Sequence, residues 1–279
     1  MVAAMAGFAL EDMFLKSAAH LLPVGEILMI FGTGGTLVFA VLCVRRRQRL
    51  LHPAILTGPI LLRALFEVMG RLFYTLAIAL TPLSSASAIL QATPLVVVAG
   101  AALFLGERVG WRRWSAIALG FAGVLIILRP GLDGFTALSL LAVLGTLGFA
   151  GRDLATRAAA PILSNLQLGV YGFAMMVPTG AGLMAFSGGA VWPDGLATVQ
   201  MLAATGFGVA AYYALTAAMR MGEVAVITPF RYTRLVFALI LGAAVFAERP
   251  DALTLIGSAV IVVSGIYTLL RSRTRGLPL

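Results

Sequence analysis

Charge is scarce in this sequence. Only 11% of its 279 residues are Asp, Glu, Lys or Arg, against about 25% in soluble domains. Lysine is nearly absent, since Lys16 stands alone beside 19 arginines. Cys43 is the single cysteine, so an internal disulfide is excluded and no paired-cysteine metal or redox motif can form. It lies in an apolar run and reads as a small filler. The two histidines, His20 and His52, fall near predicted loop ends, and neither HExxH nor GxSxG occurs. An enzyme therefore has no motif to rest on, and no metal or cofactor is expected. The run Gly32–Thr36, GTGGT, follows no strand and is not a dinucleotide fingerprint. A basic leader is also missing from MVAAMAGFAL, which argues against a signal peptide. The first span begins almost at Met1, so a natural N-terminal extension is expected.

What is present is apolar sequence. Hydrophobic residues make up 61% of the chain and the mean hydropathy is +1.01, which identifies a polytopic membrane protein. Spans need ~20 mainly apolar residues. Ten candidates meet that length, at 2–21, 24–44, 55–80, 83–106, 111–129, 135–157, 164–187, 197–219, 224–247 and 252–270. Their connections are short: Thr81-Pro82 joins the third and fourth, and Arg249-Pro250-Asp251 the last two. No soluble domain is left over. The net charge of +9 would suggest nucleic acid in a soluble protein, but the arginines sit mainly in these loops. With the N-terminus inside, the inner side receives Arg45, Arg46, Arg47, Arg49, Arg108, Arg112, Arg113, Arg157, Arg220, Arg271, Arg273 and Arg275. The outer side receives Arg129 and Arg249. That asymmetry predicts both termini in the cytoplasm, with Trp111 and Trp114 at the inner interface and Trp192 at the outer.

The chain also resembles itself. A shift of 141 residues aligns Gly7-Phe8-Ala9 with Gly148-Phe149-Ala150, Asp12 with Asp153, and Lys16 with Arg157. The same shift pairs Ala77 with Ala218 and Glu107-Arg108 with Glu248-Arg249. Each half holds five spans, an odd number, so the second half enters the membrane with opposite polarity. Two inverted five-helix repeats are expected, 1–131 and 132–279, with a substrate site near the midplane between them.

Those halves, each closing its fourth span with an acidic turn (Gly106-Glu107-Arg108 and Ala247-Glu248-Arg249), resemble the drug/metabolite transporter superfamily. Within it the chain is similar to the EamA-type ten-span proteins, through ATPLVVVAGAALFLGERVGWRRW (Ala92–Trp114) and TPFRYTRLVFALILGAAVFAERP (Thr228–Pro250). The resemblance covers essentially the whole chain. It implies an all-α, basket-shaped bundle of ten transmembrane helices around a central cavity. Helices 3, 4, 8 and 9 would line that cavity, with 5 and 10 packed outside. It points to the bacterial amino-acid exporters, including those for aromatic amino acids. Riboflavin and S-adenosylmethionine are substrates of related branches.

The candidate site residues are the polar groups inside the spans. Arg63, Glu67 and Arg71 follow at i, i+4 and i+8 on the third span, with Tyr74 beyond, and share a face. Arg231, Tyr232 and Arg234 lie on the ninth. The first span carries Glu11, Asp12 and Lys16; the sixth carries Arg152, Asp153 and Arg157. A guanidinium in hydrocarbon costs roughly 2.5–3.5 kcal/mol on insertion scales, so these groups must face the bundle interior. Local pairing is one reading: Glu67 with Arg63 or Arg71, Asp12 with Lys16, Asp153 with Arg157. The other weighs four arginines against one carboxylate on spans 3 and 9, which predicts a positive cavity. There Arg231 or Arg234 grips a substrate carboxylate through paired N–H donors. Two flanking arginines hold Glu67 charged, which weighs against a proton carrier. Gln91 and Pro94 on the fourth span, with Pro229 on the ninth, mark interrupted helices of the kind that build transporter sites. Tyr74 and Tyr213 are the aromatics expected to line it.

A secondary carrier exporting amino acids or similar metabolites across the bacterial inner membrane is the reading these features favour. Uptake of a vitamin or nucleotide-like metabolite such as riboflavin or S-adenosylmethionine is the runner-up. Drug efflux of cations would want an acidic cavity, and the arginines disfavour it. The expected partners are a small-molecule substrate and the lipid bilayer, with no nucleic acid and a monomeric chain.

Overall fold

The computed structural model describes residues 1–106, 110–129, 137–158, 163–221 and 228–273. All regular structure among them is helical. In chain order the helices are α1 (Val2–Ala18), α2 (Val24–Arg45), α3 (Gly58–Leu80), α4 (Leu83–Leu90), α5 (Thr93–Phe104) and α6 (Trp111–Leu128). They continue with α7 (Ser139–Ala158), α8 (Asn165–Ala174), α9 (Met176–Ser187), α10 (Gly195–Met221), α11 (Thr233–Phe246) and α12 (Ala252–Arg273). Short 3-10 turns occupy Pro53–Leu56 and Thr228–Tyr232.

Prolines set most of the interruptions. Pro82 cannot donate to a helix and pushes Thr81 into an extended conformation, which separates α3 from α4. Pro94 leaves the Leu90 carbonyl without its backbone donor. That carbonyl accepts the Thr93 hydroxyl at 2.6 Å instead, and the fourth span breaks at Gln91-Ala92 into α4 and α5. The seventh span breaks at Met175, just ahead of Pro178. The first predicted span stops at Ala18 rather than residue 21, and the third begins at Gly58 after its 3-10 turn. The Glu107-Arg108 turn and Arg275 lie outside the described residues.

Among the described residues, four stretches are long and apolar enough to cross a membrane: Val24–Arg45, Leu83–Phe104, Asn165–Phe186 and Gly195–Ala218. The helices α3 and α7 have the length but carry interior charges, as does the 17-residue α1.

Small residues govern how the helices meet, as expected where hydrocarbon supplies no hydrophobic drive between them. The most extensive contacts join α1 to α10, α3 to α7, α6 to α12, and α2 to α8 and α9. Gly7 of α1 sits so close to α10 that a Cβ there would be 2.9 Å from the Ala211 Cβ. Gly148 of α7 is closer still to α3, because an added Cβ would fall 2.2 Å from the Gly70 nitrogen. Phe31, Phe39, Phe173 and Tyr212 form an aromatic cluster between α2, α8 and α10, with ring centroids 5.0–6.1 Å apart. The pair α6 and α12 lies away from the interior cavity.

Candidate functional site

Six segments converge on one cavity. Helix α1 supplies Met5 and Phe8, and α3 supplies Arg71. The α4–α5 break supplies Leu90, Gln91, Thr93 and Pro94. Phe149 and Arg152 enter from α7, Tyr212 and Leu215 from α10, and Arg231 and Arg234 from the turn into α11. One wall is therefore guanidinium and the other largely aromatic and aliphatic. The two meet in cation–π contacts: Arg234 lies 5.0 Å from the Phe8 ring centre and Arg152 lies 5.0 Å from that of Phe149.

Behind this surface the arginines are held by acids. Arg234 donates to Asp12 Oδ2 through Nε at 3.1 Å and Nη2 at 2.6 Å. Asp12 also accepts the Tyr74 hydroxyl at 3.2 Å, and that hydroxyl is 3.1 Å from Ser87 Oγ. Arg71 is paired with Glu11. Glu67 lies 3.1 Å from both Arg63 and Arg152. Arg63 donates further to Thr156 Oγ1 at 3.1 Å and the Tyr212 hydroxyl at 3.2 Å. Asp153 takes Arg152 at 2.9 Å and Arg231 at 3.4 Å. Arg231 is the most loosely held of the set, with a single long contact among the described residues and 21% of its side chain exposed.

Several expectations need correction. The local pair of Asp12 with Lys16 does not form, and the pair of Asp153 with Arg157 falls on a side chain outside the described residues. Asp12 reaches across to Arg234, Asp153 holds Arg152 and Arg231, and Lys16 pairs with Glu248 at 3.7 Å. The acids of α1 and α7 face the same interior as the arginines, because a charge on those helices has nowhere else to go. Among the described residues, five arginines then meet four carboxylates, so their positive surplus is one charge rather than three. Arg231 and Arg234 thus hold Asp153 and Asp12. Tyr213 is turned outward and 47% exposed, while Tyr212, one residue earlier and about 100° around the helix, is 7% exposed and lines the cavity.

The remaining candidates separate into two groups. Arg71, Gln91, Arg231 and Arg234 are on the cavity wall. Arg63, Glu67 and Tyr74 stand behind it in the pairing network. Tyr232 is buried against α12, where a Cβ on Gly265 would collide with its hydroxyl. The cavity also takes in α1 and α7, which the expected set of helices 3, 4, 8 and 9 leaves out. Phe8 and Phe149 were available in the sequence as the aligned GFA triplets, whose repetition marked them without indicating which way they face.

A model of the EamA-like transporter family matches residues 1–129. The riboflavin transporter of Rhizobium johnstonii is 31% identical over 207 residues, covering 74% of this chain and 68% of that one. The pseudopaline exporter CntI of Pseudomonas aeruginosa is 30% identical over 271 residues, covering 93% and 90%. An S-adenosylmethionine uptake transporter of Rickettsia felis is 25% identical over 207 residues, covering 74% and 70%. A crystal structure 21% identical in sequence has a TM-score of 0.67 and covers 98% of this chain and 99% of its own, which shows a shared fold.

Proposed function

The chain belongs to the EamA-like transporter family, and from that premise we propose that it exports amino acids or similar small carboxylates by alternating access. The observation that carries this reading is Arg231, which faces the cavity with one long contact to Asp153. Its guanidinium has donors to spare for a substrate carboxylate. The phenyl faces of Phe8 and Phe149 and the phenol of Tyr212 give the rest of a flat or aromatic substrate a surface to lie on.

In this reading the molecule is ten helices in two inverted halves, 1–131 and 132–279. The contacts support it. Shifting by 141 residues carries Gly7 to Gly148 and Gly70 to Ala211, so the Gly7–Ala211 approach maps onto the Gly148–Gly70 approach. The same shift maps Phe8 onto Phe149, each with its own arginine at 5.0 Å. The exposed arginines Arg45, Arg46, Arg47 and Arg49 support an orientation with both termini in the cytoplasm. One chain encloses the whole cavity, in keeping with a monomer.

Uptake of a flavin or adenosyl metabolite is the second reading, favoured by the relatives at three-quarters coverage and by the aromatic wall. Counterflow in proteoliposomes separates the two. Labelled amino acids are expected to exchange in preference to riboflavin and S-adenosylmethionine. Flavin exchange without amino-acid exchange overturns the first reading.

A further inference from the structure

The cavity is lined from one half of α1, α10 and α11, and the other ends of α1 and α11 meet at a separate cluster. Lys16 lies in the last turn of α1, and Glu248 follows α11. Glu248 accepts the backbone N–H of Leu83 at 2.6 Å and of Ser84 at 2.9 Å. These are the first donors of α4, whose N-cap is Pro82 and offers no side-chain acceptor. Lys16 donates to the carbonyls of Ile78 at 3.0 Å and Thr81 at 2.6 Å, the last acceptors of α3. The two side chains are 3.7 Å apart and each is 10% exposed. One ion pair therefore caps both helix ends at the α3–α4 turn, with the carboxylate on the positive end of α4 and the ammonium on the negative end of α3.

The turn after α11 aims the Glu248 side chain at this junction. Ala247 adopts a left-handed conformation, φ 52°, that returns the chain so that the Glu248 N–H reaches the Gly242 carbonyl at 3.0 Å. Gly242 leaves room for the carboxylate, since a Cβ there would be 2.7 Å from Glu248 Oε2. Lys16 also lies 5.2 Å from the Phe246 ring centre. At ~1.5 Å per residue, Lys16 is about 12 Å along α1 from the cavity residue Phe8. The cluster joins α1, the α3–α4 turn and α11 without touching the cavity lining.

We propose that Lys16 and Glu248 are the gating pair of the transport cycle, holding the end of the bundle beyond the cavity shut. Opening that end requires α11 to leave the α3–α4 turn, which breaks the Glu248 contacts to Leu83 and Ser84 together. This rests on the carrier reading and on no particular substrate. The pair is a positioning device and makes no contact with substrate.

The test is thiol accessibility in lipid nanodiscs, where both faces meet the reagent. Cys43 is replaced by Ala and the buried Ser84 by Cys as the reporter. With Lys16 and Glu248 intact, labelling by a polar maleimide is expected to be slow. Glu248→Gln, which loses the charge and weakens the cap, is expected to speed it roughly fivefold or more, the scale of a lost helix cap. Lys16→Met is expected to act in the same direction, and it carries the test if Glu248→Gln does not assemble. Arg231→Gln is expected to leave the labelling rate unchanged while abolishing transport, which separates the gate from the substrate site. Unchanged labelling in both gate variants overturns the proposal.

Discussion

The ion-pair network assigns different costs to neighbouring arginines. Arg234 is buried with Asp12, whose other partner is the neutral Tyr74 hydroxyl, while Arg71 is taken by Glu11. Removing Arg234 leaves a buried carboxylate uncompensated, a loss of about 3–5 kcal/mol in comparable sites. Arg234→Gln should therefore fail in thermal unfolding before transport is measured. Arg231→Gln leaves Asp153 with Arg152, so it should keep its melting temperature within a few degrees and lose transport at least tenfold. Equal thermal losses in the two variants would contradict this division. At the membrane surface, the Arg129 side chain beside Asp251 holds that carboxyl down at about 2. The folded value is depressed, so the stabilisation is present above an ordinary pKa of about 3.9 and is lost as pH falls towards 2. Asp251 also accepts the Thr254 N–H at 2.8 Å at the start of α12. Asp251→Ala should lower stability by ~1 kcal/mol at pH 7, while Asp251→Asn keeps part of the cap. Melts in detergent at pH 7 and near pH 2 check both.

Helices were legible in the sequence where apolar length and proline agreed. The Gln91-Ala92 break follows from Pro94 and was anticipated as a kink, whereas the Met175 break needed Pro178 to be weighed in the same way. Facing was harder to read. Tyr212 and Tyr213 are chemically identical neighbours, and only the packing of α10 against α1 and α2 decides which one points inward. The Arg234 partner of Asp12 was missed because the nearest opposite charge in sequence, Lys16 four residues away, is not the nearest in space, and for Asp153 the adjacent Arg152 was passed over. Each acid can pair across the bundle with α11, where Arg231 and Arg234 need partners just as much. The α3–α7 contact gives the element-scale prediction. Gly148→Leu puts a side chain into the backbone of Gly70, beyond the 1–3 kcal/mol typical of overpacking. It should prevent recovery of folded protein by size-exclusion chromatography. Gly182→Leu, where nothing lies within 4 Å, should be recovered normally.

For the molecule as a whole, the sequence repeat, the paired glycine approaches and the shared fold all bear on a carrier with a charged interior. Among the described residues, five cavity-side arginines are matched by four acids on α1, α3 and α7, so nearly every guanidinium is neutralised without substrate. The remaining positive charge is what a substrate carboxylate would satisfy. The most direct test is counterflow in proteoliposomes with a labelled amino acid that the wild-type protein exchanges, competed by that amino acid or by its carboxamide. The acid is expected to compete fully and the carboxamide at least tenfold more weakly, with Arg231→Gln showing no exchange of either. Equal competition by acid and carboxamide, or full exchange by Arg231→Gln, would contradict a carboxylate site at Arg231.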